Sequence, residues 1–457
     1  MDLVQTCKNN DGGGVAGGGE ESTRTPNNRA SSLTFSVGDI ADVQVLLETP
    51  SHYSVTTVLT YCKKKILRPY LWLLNFVGLR PICIECQDTF SCAEFFNYVY
   101  TIHIIMFLGV GYVLQYMACF RRDRGFGYNK PNLLSSTPDY VFEQICRSSL
   151  TFSFFLPNIL HLMGYVYAVT VFRSSDDDQL PSLMERVFLS LSNLSDCFVC
   201  QKKLVRTLRI FVTVSGMWII LSSVSVNYMM AESTIEFKWI DKNSQAMVLL
   251  IKILLVICTL WHDMVQAIII LNYCLQAQLL TAYLSFLRAK LIQQPLLPTE
   301  WMKDIEEFRK LLMFLNYHLA PAVCVFTLVN VSYAVSGILW ILDIDNLDRE
   351  SVSTIGINIM NVSLWSFIAL VPFVQAAKLT NVCEIIRGIG HEVRTRPFVH
   401  QSTPGHKLDS ILLYCSSLRM NATLFGVPIT IRYLGFFVTL CGVIILVLGQ
   451  LHYLNAK

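Results

Sequence analysis

Charge is what this sequence has least of. Only 15% of its residues are charged, against roughly 25% in a soluble domain. The formal net charge is +3, with no long basic tract, which argues against a nucleic-acid-binding surface. Also missing are the charged-then-apolar head of a signal peptide, a phosphate-cradling glycine loop, a nucleophile beside its base and a metalloprotease helix. These absences speak against an enzyme and imply no cofactor. The fifteen cysteines are scattered, and the two CxxC pairs, Cys83/Cys86 and Cys197/Cys200, stand more than a hundred residues apart. A zinc site would need both pairs in one place. No metal is expected, and the cysteines read as small apolar fillers or lipidation candidates.

Apolar residues fill the space that charge leaves. They make up 53% of the 457 residues, and the mean hydropathy is +0.47. That is the composition of an all-α integral membrane protein. A crossing helix needs roughly 20 mostly apolar residues, and seven stretches meet that: 96–118, 150–172, 209–230, 246–271, 320–342, 354–376 and 432–453. Residues 1–52 are rich in Gly, Ser and Asn and read as a disordered tail. Residues 53–95 hold "KKKILRPYLWLLNFVGLRP", too charged for an eighth span, and read as an interfacial amphipathic helix followed by a turn.

Lys and Arg in the loops set the orientation. The 2–3, 4–5 and 6–7 connections are the more basic, and the later two opposite loops offer Lys238, Lys242 and Arg349. This predicts a cytosolic N-terminus and an extracellular C-terminus. The first outer loop disagrees, with Arg121, Arg122, Arg124 and Lys130 in "RRDRGFGYNK". The polarity is the reverse of a G-protein-coupled receptor. Span three also lacks the acidic-Arg-Tyr motif of such receptors, and span seven their Asn-Pro-x-x-Tyr.

Two inner connections are long. Residues 272–319 carry an apolar stripe at Trp301, Ile305, Phe308, Leu312 and Leu315, with Pro298 ending one helix and Thr299 capping the next. Residues 377–431 predict a helix over 408–425, capped by Asp409 and interrupted by Pro428 before the last span. Both read as cytosolic helical extensions. Sequons at Asn193, Asn330, Asn361 and Asn421 fall within spans or on the cytosolic side, so none is expected to be glycosylated.

A binding site in the outer half of such a bundle needs converging polar and aromatic side chains. Candidates are Tyr112 and Gln115 on span one, Asn158 on span two, and Trp218 and Asn227 on span three. Spans five and six add Tyr333, Trp340, Asn361 and Trp365. Stacked aromatics with amides suit a small neutral organic molecule; each residue taken alone also fits an interfacial belt or a helix–helix hydrogen bond. Lys252, His262 and Asp263 are costly in lipid and should face a cavity or a partner, and His262 could share a hydrogen bond with Gln266.

This arrangement resembles the insect gustatory receptor family of the insect chemoreceptor superfamily over most of residues 60–457. "LRPYLWLLNFVGLRP" is similar to the pre-span helix and Gly-x-x-Pro turn that opens these receptors, and the run from Leu408 into the final span to their split last helix. The family signature in that span is Thr-Tyr, five apolar residues, Gln, Phe. Anchored on Gln450, the Thr-Tyr positions hold Val443 and Ile444, and Leu451 replaces Phe. Only the apolar run and the glutamine match, as in a divergent or gustatory-receptor-like member. The resemblance implies a plasma-membrane chemosensory receptor for a small organic tastant. It would work as a subunit of a homo- or heterotetrameric ligand-gated non-selective cation channel whose last spans line the pore. Ile444, Leu448 and Gln450 are then the pore candidates, the first two for an apolar gate and the third for an amide ring; lipid contact and an interfacial amide fit the same residues. A non-conducting accessory or scaffold protein of the same fold is the alternative, and a small-molecule transporter is a further one.

Overall fold

The computed structural model describes residues 60–81, 92–118, 120–122, 125–126, 155–174, 179–192, 198–232, 245–293, 298–342, 352–395 and 403–455. The tail over 1–52, the paired cysteines Cys83, Cys86 and Cys197, and Asn193 lie outside these residues. The helices are α1 (Arg68–Phe76), α2 (Cys92–Met117), α3 (Leu156–Ser174), α4 (Gln179–Ser192), α5 (Phe198–Glu232) and α6 (Gln245–Gln293). They continue with α7 (Pro298–Phe314), α8 (Ala320–Ile341), α9 (Val352–Thr395), α10 (Gly405–Ser417) and α11 (Ile431–Asn455). Two π turns, Lys63–Leu67 and Leu315–Leu319, and two two-stranded ribbons complete the described elements: β1 (Phe120–Arg121) with β2 (Gly125–Phe126), and β3 (Thr423–Leu424) with β4 (Val427–Pro428).

Among the described residues, five stretches are long and apolar enough to cross a membrane: Phe95–Met117, Gln201–Ala231, Gln245–Gln293, Pro298–Leu339 and Ile355–Thr395. Ile431–Val447 is apolar but shorter. The second expected span, α3, is not among the five; Pro157, Asn158, His161 and Gly164 dilute its apolar run, and Pro157, His161 and Gly164 are buried in the bundle.

Helix α6 has 49 residues, which at 1.5 Å per residue is on the order of 70 Å, more than twice a hydrocarbon core. Its two halves meet different surroundings. Near its start, Met247, Leu249, Leu250, Ile253 and Ile257 are exposed. From Val265 to Leu284 almost every side chain is buried, because α7, α4, α9 and the start of α8 pack around it. A helix apolar on all sides needs such a jacket. The stripe Trp301, Ile305, Phe308, Leu312 and Leu315 is buried, and Trp301 Nε1 donates to the Leu287 carbonyl at 3.1 Å. Ion pairs stitch the same end: Arg288–Glu392 at 2.8 Å, Lys290–Asp304 at 3.1 Å and Arg186–Glu307 at 3.1 Å.

Several local expectations change. Pro298 opens α7 instead of ending a helix, since a first-turn residue needs no backbone N–H donor. Helix α7 runs through a π turn, Leu315–Leu319, directly into α8. The helix expected over 408–425 is α10, which stops at Ser417. Asp409 does not cap it; it lies inside, 3.5 Å from Arg394. Pro428 belongs to the β3–β4 hairpin, whose tip Phe425 and Gly426 have φ of 55° and 73°. The hairpin is pinned from outside: Asn316 donates to the Asn421 carbonyl at 2.9 Å and accepts from the Thr423 N–H at 3.0 Å. At the other end of the chain, α1 is followed by the expected turn, with Gly78 at φ 76° and Leu79 N–H donating to the Leu74 carbonyl at 3.0 Å. One face of α1 is buried, and Tyr70 donates to Asn272 of α6 at 2.7 Å.

Candidate functional site

Five helices and one strand end meet at a small cavity. Tyr112 and Gln115 reach it from α2, Asn158 and His161 from α3, and His262, Asp263 and Gln266 from α6. Tyr333 comes from α8, Trp365 from α9, and Arg122 from the residue after β1. On α2, α3 and α6 the contributors recur three or four residues apart, which brings them onto one face of each helix.

Asp263 organises the polar side. It is fully buried. Its Oδ1 accepts from Arg122 Nη2 and, at 3.3 Å, from Gln266 Nε2; its Oδ2 accepts from Ser222 at 2.7 Å. A buried carboxylate is tolerated when it is paired and its other lone pairs are satisfied. The Arg122 guanidinium lies 5.0 Å from the centroid of the Trp365 ring, a cation–π distance. Trp365 is held in turn by Trp218, edge-on at 5.5 Å, and by Tyr333 at 5.2 Å. Trp218 is fixed by its Nε1, which donates to the Leu364 carbonyl at 3.0 Å.

The opposite side is a histidine–tyrosine cluster. His161 Nε2 lies 3.2 Å from the His262 carbonyl, and His161 Nδ1 lies 2.8 Å from the Tyr112 hydroxyl. A carbonyl only accepts, so the neutral tautomer with its proton on Nε2 satisfies both contacts and receives the Tyr112 O–H at Nδ1. The Tyr112 and His262 rings are 4.5 Å apart. Gly111 makes this approach possible, because a Cβ there would sit 2.5 Å from His262 Cε1.

Of the sequence candidates, Tyr112, Gln115, Asn158, Tyr333 and Trp365 line the cavity. Trp218 stands behind it as a support. Asn361 is buried one turn away, accepting from Ser225. Asn227 is elsewhere: its amide turns back to the Ser223 carbonyl of its own helix at 2.9 Å. Trp340 and Leu448 lie outside the residues whose side chains are described. Ile444 and Gln450 are exposed on α11, away from the cavity. The pairing expected between His262 and Gln266 is replaced by Gln266 with Asp263, three residues back, because the carboxylate is the stronger acceptor.

Sequence reasoning missed Arg122, counted as a loop cation, and His161. Asp263 and His262 carried a signal, the cost of ionisable groups in an apolar helix. Arg122 had none, since nothing local distinguishes it from Arg121 or Arg124.

No protein-family model matches the sequence, and no curated protein does. Solved structures do. The insect olfactory receptor OR5 from Machilis hrabei superposes with a TM-score of 0.58 at 9% identity, covering 86% of this chain and 99% of that one. The fold is that of an insect olfactory receptor. The same receptor in complex with eugenol gives a TM-score of 0.55 at 12% identity, covering 87% of this chain and 100% of the other. Identity this low carries the architecture and leaves the chemistry of the cavity to this chain's own residues.

Proposed function

We propose that the protein is a chemosensory receptor of the gustatory type, a multi-pass plasma-membrane protein that acts as a subunit of a tetrameric ligand-gated cation channel. The observation that carries this reading is the polar and aromatic cavity within a fold shared with a receptor solved in complex with a small organic molecule. A bundle interior with a few converging polar groups is where such a ligand is expected. In this reading all seven apolar stretches cross the membrane, the N-terminus is cytosolic and the C-terminus extracellular. The α6, α7, α9 and α10 assembly at the far end of the bundle is then cytosolic.

Helix α11 supports the tetramer. Phe436 and Leu446 are 69% and 70% exposed, and Tyr433, Val443, Ile444 and Val447 are also uncovered. So wide an apolar surface on one helix is met by lipid on one side and by sister copies on the other, with Ile444 proposed for the apolar gate and Gln450 for an amide at the pore mouth. Apolar rings of this kind gate by dewetting. The same helix favours a second reading: with Val443 and Ile444 at the Thr-Tyr positions it is apolar from Leu440 up to Gln450, as suits a subunit that assembles without conducting.

Purified protein reconstituted in planar bilayers tests both. Cation currents evoked by small organic ligands are expected, together with tetramers by single-particle imaging. Tetramers that bind ligand without current would leave the accessory reading; monomers without current would overturn the channel.

A further inference from the structure

We propose that the Arg122–Asp263 pair makes the cavity a site for a neutral small molecule bearing adjacent hydrogen-bond donors and acceptors, such as a vicinal diol or an amide, and excludes charged ones. The inference rests on the cavity being the receptor's ligand site.

Arg122 and Asp263 are the two residues of fixed charge lining the cavity, and each neutralises the other. A carboxylate ligand would have to take Arg122 from Asp263 and leave that carboxylate buried and unpaired. An ammonium ligand would do the same to Arg122. Either exchange strands a buried charge. A neutral ligand disturbs neither. Polar groups are still left over. Among the described residues, Arg122 Nη1, Trp365 Nε1, Gln266 Oε1 and both His262 ring nitrogens have no hydrogen-bond partner, and all four side chains are more than nine-tenths buried. Arg122 and Trp365 donate, Gln266 Oε1 accepts, and a neutral imidazole offers one of each. A ligand that meets them needs both lone pairs and O–H or N–H groups. A purely apolar molecule would leave them all unmet, each a buried polar group without compensation. The Trp365, Tyr333 and Tyr112 rings flank these atoms and cover the ligand's carbon face.

The test uses one carbon skeleton in four forms: trans-cyclohexane-1,2-diol, methylcyclohexane, cyclohexylammonium and cyclohexanecarboxylate. Binding is read as ligand-induced thermal stabilisation of the full-length protein in nanodiscs, and current is recorded in parallel. The diol is expected to act at a concentration at least about tenfold below the other three. Asp263→Asn leaves Arg122 unopposed and should shift the preference to the carboxylate. Arg122→Gln should shift it to the ammonium. The double variant carries no stranded charge and should return to the diol, which keeps the test decisive if either single variant fails to fold. Charged or apolar analogues that stabilise the wild type as well as the diol would overturn the proposal, as would the lack of any stabilisation by all four. Currents evoked by those same charged or apolar analogues would leave the receptor reading standing. Stabilisation by the diol alone, without current, removes the channel reading and upholds the selectivity of the cavity.

Discussion

Gly111 and His262 show how narrowly the cavity is set. A single methyl group at Gly111 would lie 2.5 Å from His262 Cε1 and 2.9 Å from Cys258 Cβ, so the imidazole would have to move and disturb Tyr112. Overpacking of this kind costs about 1–3 kcal/mol. Gly109, two residues earlier, has nothing within 4 Å of the same added atom. Gly111→Ala is therefore expected to lower the melting temperature and weaken ligand response, while Gly109→Ala, gaining roughly 1 kcal/mol of helix propensity, leaves both intact. Thermal unfolding and dose–response curves on the two variants check this, and equal behaviour would count against the close approach of α2 and α6. At this scale the sequence is legible where a residue breaks its local rule. Asp263 stands out in an apolar helix; Arg122, one of several cations in a polar loop, is recognised only when the fold carries it to Asp263.

Helices were legible from their periodicity, but their ends were not. The β3–β4 hairpin interrupts what reads as one helix because Asn316, more than a hundred residues away, supplies the hydrogen bonds that hold it. That information is not local. The docking of α10 on α9 is similar. Its visible ion pair, Arg394–Asp409, is more than half exposed on both sides and contributes little. What matters is Gly390, where a Cβ would lie 2.8 Å from the Leu412 Cα, a backbone atom that moves only if α10 does. Gly390→Ala should detach α10, seen as lost amide-exchange protection over 405–417, whereas Gly388→Ala, with open space around it, should not. Retained protection in Gly390→Ala would show that the helices dock by another contact.

For the molecule as a whole, the far end of the bundle behaves as a packed protein core. Burial pushes the Cys62 thiol up to about 12 and the Cys415 thiol up to about 11. The thiolate is the reactive form, so both should resist maleimide at pH 8 in the native protein and react once it is unfolded, as peptide mass spectrometry would report. Rapid native labelling at either site would mean that this end is open. The linkage runs the same way: these raised values add stability that is complete below the ordinary thiol value of 9.0 and is lost as pH climbs through the folded ones. The sequence by itself determined that the chain is helical, mostly apolar and suited to a membrane, and which helix faces carry amides and aromatics. Those follow from composition and from a period of 3.6 residues, both local properties. Only the tertiary structure decided that Arg122 belongs to the cavity, that Asn227 does not, and which face of α3 is buried in the bundle. Those depend on which distant surfaces meet, and a buried charge finds its partner through space, not along the chain.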